Sequence, residues 1–137
     1  VQEGAAVKAG SPLVRLRSDE LQAALAQARA GERQAAARLA GLRSTGRSAA
    51  QAGVSQAESV LVAAQAELDR TRNLVSQGFL SPSRLDEARR AHGVAQAQVE
   101  VARAQRAAVA DPGTDVAQAE AQLALAAGAR AAAEARL

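Results

Sequence analysis

Few side chains in this sequence are of a type that does chemistry. His92 is the only histidine, Lys8 the only lysine, and cysteine is absent. A metal centre needs several His, Cys or carboxylate ligands at fixed spacing. His92 has no second histidine, cysteine or carboxylate at such a spacing, so it is read as a residue tolerated on a helix seam. The doublet Asp86-Glu87 has the groups for general acid–base work but no partner acid or base beside it. Near the start of a helix the two carboxylates suit the positive end of the dipole instead. No activated nucleophile and no phosphate-cradling glycine loop is present. The sequence therefore predicts no catalytic residue, no cofactor and no metal site, and the chain is read as a non-enzyme whose chemistry is recognition.

Composition points the same way. Phe79 is the only aromatic, there is no Trp, Tyr or Met, and more than a quarter of the 137 residues are alanine. A buried Ala methyl contributes far less than the roughly 1.5–3 kcal/mol of a buried Leu or Phe. A compact globular core would be poorly stabilised. Alanine is, however, the best helix former, and Ala, Leu, Glu, Gln and Arg together predict long helices. Arginines alternate with Asp and Glu, as on solvated helix faces, and the net charge is only +3. No basic arm and no stacking aromatics argue for nucleic acid. No apolar run reaches the roughly 18–20 residues of a membrane span. Missing cysteine is compatible with an oxidising compartment.

The elements that must position any recognition residue follow from periodicity. Residues 1–17 hold two glycine-marked turns between short apolar runs: Val1-Gln2-Glu3-Gly4, Val7-Lys8-Ala9-Gly10 and Leu13-Val14-Arg15-Leu16. These predict short β-strands. Ser18 or Asp19 is then placed to cap a helix. Leu21, Leu25, Ala28, Glu32, Ala35, Leu39 and Leu42 form a helical seam with one charged interruption, and Ser44-Thr45-Gly46 breaks it. Val54, Leu61, Leu68 and Val75, with Ala57, Ala64 and Thr71 three residues after the first three, form a heptad seam of alternating large and small layers. Gly78 is a left-handed cap, Ser81 an N-cap and Pro82 a first helical residue. Leu85, Ala88, His92, Ala95, Val99, Ala102, Arg106 and Val109 make the third seam, which Asp111-Pro112-Gly113-Thr114 stops. Asp115 caps a fourth helix with Val116, Ala119, Leu123, Ala126, Ala133 and Leu137 on one face. Arg106 and Arg130 are read as stems packed on apolar faces with their heads in water.

The expected fold is mainly α: a long antiparallel coiled-coil hairpin with a mid-arm break. Its helices are about 19–43, 47–77, 81–110 and 115–137. The break is expected because Gly46 and Gly113, and likewise Gly31 and Gly128, are equidistant from the middle of the Gly78–Ser81 turn. The arm either runs straight through this joint or folds back into a four-helix bundle. The short interruptions favour the extended form.

The opening run resembles half of a biotinyl/lipoyl domain, with its V-x-E-G-x-x-V-x-x-G-x-x-L-x-x-L pattern. Glu20 stands where a lipoyl carrier has its modified lysine, and Lys8 is elsewhere, so a swinging-arm carrier is disfavoured. A half-lipoyl run leading into a long Ala-rich hairpin resembles the HlyD-type membrane fusion, or periplasmic adaptor, family. The resemblance covers essentially the whole chain, read as a fragment: 1–17 as the first lipoyl half and 18–137 as the hairpin. The run from Asp111 to Glu120 is similar to the mid-arm break of YbhG-like adaptors associated with ABC exporters.

Adaptors that dock to TolC-like outer-membrane channels resemble one another in an R-x3-L-x6-S motif around the hairpin turn. Arg70, Leu74 and Ser81 match it here, at the turn that periodicity locates. The resemblance implies that Arg70 offers a fork of donors to the channel, Leu74 an apolar contact on the same face, and Ser81 a hydrogen bond. Gly78, Phe79 and Leu80 are further tip contacts, Phe79 and Leu80 alternatively forming a plug that closes the hairpin. It also implies periplasmic localisation, inner-membrane anchorage, a homo-oligomeric ring and an inner-membrane transporter partner, of ABC class before RND or major-facilitator. The alternatives are a structural Ala-rich coiled coil without transport role and a lipoyl- or biotin-carrier-like domain.

Overall fold

The computed structural model describes residues 2–137, with side chains described from Leu13 onward. In order, the elements are α1 (Gln2–Gly41), a π-helical segment (Leu42–Gly46), α2 (Arg47–Ser76), α3 (Pro82–Val109) and α4 (Thr114–Ala135). The chain is mainly α, and among the described residues there is no strand. No helix among them is long and apolar enough to cross a membrane. Two compact units are present, one of Gly41–Val116 and one of Val1–Ala40 with Ala117–Leu137.

In the first unit α2 and α3 form an antiparallel hairpin. Gln51 meets Arg106 and Glu58 meets Arg103, so the number rises along one helix as it falls along the other. The predicted seams make its core. Val54 (1% exposed), Leu68 and Thr71 of α2 are buried, as are Ala88, Ala95, Val99, Ala102 and Val109 of α3. Ala57, Leu61, Ala64, Val75, Leu85 and His92 are half-buried. Alanines in a seam permit close backbone approach, which offsets the small transfer energy of each methyl. Arg106 departs from the expectation. It is exposed, and its guanidinium reaches out to the Gln51 side chain at 3.3 Å.

The second unit joins α1 and α4. Leu25, Leu39 and Ala119 are buried, and Leu21, Ala28, Glu32, Ala35, Leu123, Ala126 and Ala133 half-buried, again at the predicted positions. Leu137 is exposed at the chain end, not on the buried face. Glu32 and Arg130, the polar interruptions of the two seams, form an ion pair of 2.6 Å. Arg29 and Glu134 make a second pair at 3.3 Å.

In place of the strands expected at 1–17, the backbone of residues 2–17 is helical. Leu13–Arg17 are helical and exposed, and the helix passes through Ser18 and Asp19 without needing either as a cap. The side chains of residues 1–12, including Lys8, lie outside the described ones, while the backbone at the two expected glycine turns, Gly4 and Gly10, is helical. A strand needs a ladder partner for its N–H and C=O groups, whereas a helix satisfies them within one segment. No strand among the described residues supplies the partner.

Ser44-Thr45-Gly46 is also not a break. The backbone is right-handed helical at Gly41, Gly46 and Arg47, and the Arg47 N–H donates to the Leu42 carbonyl in the i→i−5 pattern. A π turn inserts one extra residue, and the sequence requires one. The four-three alternation through Leu39 and Leu42 would reach residue 53, but the next seam runs through Val54. The extra residue matches the one-residue offset between the two stripes.

Candidate functional site

The candidate site is the closed end of the α2–α3 hairpin. Gly78 has φ +83°, the left-handed region that favours glycine. Its N–H donates to the Val75 carbonyl at 3.0 Å, and the Phe79 N–H donates to the Leu74 carbonyl at 2.9 Å. These crossed bonds are a Schellman motif, which satisfies carbonyls the helix end would otherwise leave unpaired. Ser81 is the N-cap of α3 in extended conformation with Pro82 following, as predicted. Its hydroxyl makes no capping bond. It lies 2.9 Å from the Ser83 hydroxyl, while the Ser81 carbonyl accepts from the Arg84 N–H at 3.0 Å.

The three motif residues differ in availability. Arg70 is 65% exposed and its guanidinium pairs with the Glu67 carboxylate of the preceding turn. Leu74 is half-buried and Ser81 exposed. Phe79 is 72% exposed, so its ring does not close the hairpin. Leu80 takes that role: it is half-buried and lines one recess with Thr71, Arg84 and Ala88. Glu67 was not singled out by sequence, and Thr71 only as a seam residue. Thr71 is buried at the seam and donates its hydroxyl to Glu67 Oε1 at 3.4 Å, so one carboxylate holds both Thr71 and Arg70. The i, i+3 and i, i+4 spacings were the available signal. An exposed pair of this kind contributes only about 0.2–0.5 kcal/mol, so an incoming carboxylate can displace Glu67 cheaply.

A second polar cluster lies at the far end of α3. Arg47 donates its Nε–H to the Val109 carbonyl at 2.9 Å, and its Nη2 stands 2.8 Å from Asp111 Oδ2. Arg43, in the π segment, lies 3.8 Å from the same carboxylate oxygen. The hydrogen bond from Arg47 holds the Asp111 carboxyl below its usual range; partial desolvation opposes this, and the charges of Arg47 and Arg43 add to it. No family model, curated protein or solved structure matches this chain. Among the described residues no group of three or more His, Cys, Asp or Glu is placed to hold a metal ion. The chemistry available at the hairpin end is thus an arginine fork, hydroxyls and an exposed aromatic ring, which suits binding to a protein surface.

Proposed function

We propose that the chain is the helical arm of a periplasmic adaptor of the HlyD type, whose hairpin end docks on a TolC-like outer-membrane channel. The observation that carries this reading is the coincidence of R-x3-L-x6-S with the reversal of the chain, where Arg70 and Phe79 project into solvent. Arg70 would exchange Glu67 for an acidic or carbonyl group on the channel. Phe79, with no core to enter, would supply the apolar anchor beside it. Leu74 and Ser81 would shape the contact more than dominate it, because one is half-buried and the other occupied with Ser83.

In this reading α2 and α3 continue as a coiled-coil arm. The opening run becomes sheet when strands of a second lipoyl half pair with it. An inner-membrane anchor, a ring of several copies and an ABC-class transporter complete the assembly. The work of the arm is spacing and sealing, without bond-making. Efflux complementation by Arg70→Asp and by Phe79→Ser, at normal expression, tests it. Loss of transport with an unchanged melting temperature is expected; normal transport by both variants would sink the docking assignment.

A further inference from the structure

The second polar cluster has a construction that docking does not use. At the same level of the Gly41–Val116 unit, one side of the hairpin is helical without interruption and the other is not. On the continuous side the π segment passes directly into α2. On the interrupted side α3 ends at Val109, and Ala110 is extended, with φ −80° and ψ 162°. The chain then turns through Asp111-Pro112-Gly113 into α4. Gly113 is buried, and a Cβ there would run into the carbonyl oxygens of Ala107, Ala108 and Ala110. Val109 and Val116, on either side of the turn, are both buried.

Arg47 reaches from the continuous side to two points on the interrupted one. One is the Val109 carbonyl, an end-of-helix acceptor that α3 cannot satisfy itself; the other is the Asp111 carboxylate inside the turn. A guanidinium presents several donors in a rigid plane, so a single side chain can hold both at once. Arg43 adds charge from one helical turn earlier, and Gln51 and Arg106 line the same cleft. The cation also sits at the negative end of the α3 dipole, which favours it there.

We propose that Arg47 is a latch: it pins the interrupted arm of the hairpin against the continuous one, and its release opens the Ala110–Val116 segment while α2 stays helical. The latch needs no partner protein, so it stands or falls separately from the docking reading.

Amide hydrogen exchange on the full 137-residue chain tests it. With Arg47→Ala, amides between Ala110 and Val116 should exchange roughly three- to tenfold faster, the effect of one charge-assisted contact at a partly exposed site. Amides of Val54–Val75 and Ala88–Ala102 should keep their protection. Asp111→Asn should speed the same segment by less, because the Val109 contact survives. Arg47→Lys should recover only part of the protection, since an ammonium lacks the planar fork. Unchanged exchange at Ala110–Val116 in Arg47→Ala would overturn the latch. So would acceleration spread evenly over both helices, which would make Arg47 a general stabiliser.

Discussion

The Phe79 amide is bonded to the Leu74 carbonyl at 2.9 Å, while the Phe79 ring stands 72% exposed. Backbone and side chain of one residue are thereby separated in role. The amide closes the end of α2, and the ring is left in solvent on a turn whose course is fixed. A fixed main chain under an exposed aromatic lowers the ordering entropy that a partner contact would otherwise require. Gly78 makes this possible, because its positive φ lets the two crossed hydrogen bonds form together.

Gly78→Ala should therefore destabilise the hairpin by about 1 kcal/mol, the cost of placing a Cβ in the left-handed region. Open space surrounds the position, so the cost is conformational and not a clash. Gly78→Asn should lose less, since Asn tolerates that region better than Ala. Urea unfolding followed by helical circular dichroism would rank the three proteins. Equal midpoints for glycine and alanine would mean that the turn relaxes to another form.

Leu80 and Phe79 should respond oppositely to the same change. Leu80→Ser removes a half-buried side chain from the recess with Thr71 and Ala88 and should cost about 1 kcal/mol, part of a full burial. Phe79→Ser should lie within about 0.5 kcal/mol of the parent, as exposed substitutions usually do. Thermal melts of the two single variants separate them. A larger loss at Phe79 would restore the reading in which its ring closes the hairpin.

The Glu32–Arg130 pair gives a test of register in the other unit. Each residue interrupts an apolar seam, and each is the other's partner at 2.6 Å, with Arg130 also reaching Glu134 at 3.3 Å. Such a polar layer fixes which residues face each other, because any slip strands both charges on apolar stripes. Glu32→Arg and Arg130→Glu should each lower the unfolding midpoint, and the double exchange should recover most of the loss. The coupling is expected to be about 1 kcal/mol, since both side chains remain partly exposed. Additive losses in the double variant would show that the pair does not set the register.

That pair also marks what could be read from the residues alone. Seam positions were legible apart from Arg106 and Leu137, because a period near 3.5 over long stretches leaves little choice of buried face. The Gly78 cap and the Ser81-Pro82 restart were legible for local steric reasons. Leu13–Arg17 was not: alternating apolar runs and glycines describe a strand only when another strand pairs with it. Nor was the π turn, although the seam positions contained its one-residue shift of phase. Glu32 with Arg130, and Arg47 with Asp111, could not be paired from spacing, since each joins residues far apart in the chain. Their meeting depends on the register that the apolar seams set.

Acid should act on the Arg47 cluster through Asp111. Its carboxyl titrates below the ordinary value of 3.8 in the folded chain, chiefly because Arg47 donates a hydrogen bond to it. A depressed folded-state pKa means that the unfolded chain binds the proton more readily. The stabilisation is therefore complete above the unfolded value and is lost as pH falls through the folded one. Stability of the Ala110–Val116 segment should be flat near neutral pH and decline only in strong acid. Asp111→Asn should start from lower protection and lack this part of the decline. Hydrogen exchange of the segment, corrected for intrinsic rates and followed from neutral pH to about pH 2, would compare the two. High salt should shrink the difference between them, because the charges are partly exposed and screened. Parallel acid profiles for the parent and Asp111→Asn would mean that protonation elsewhere governs the opening.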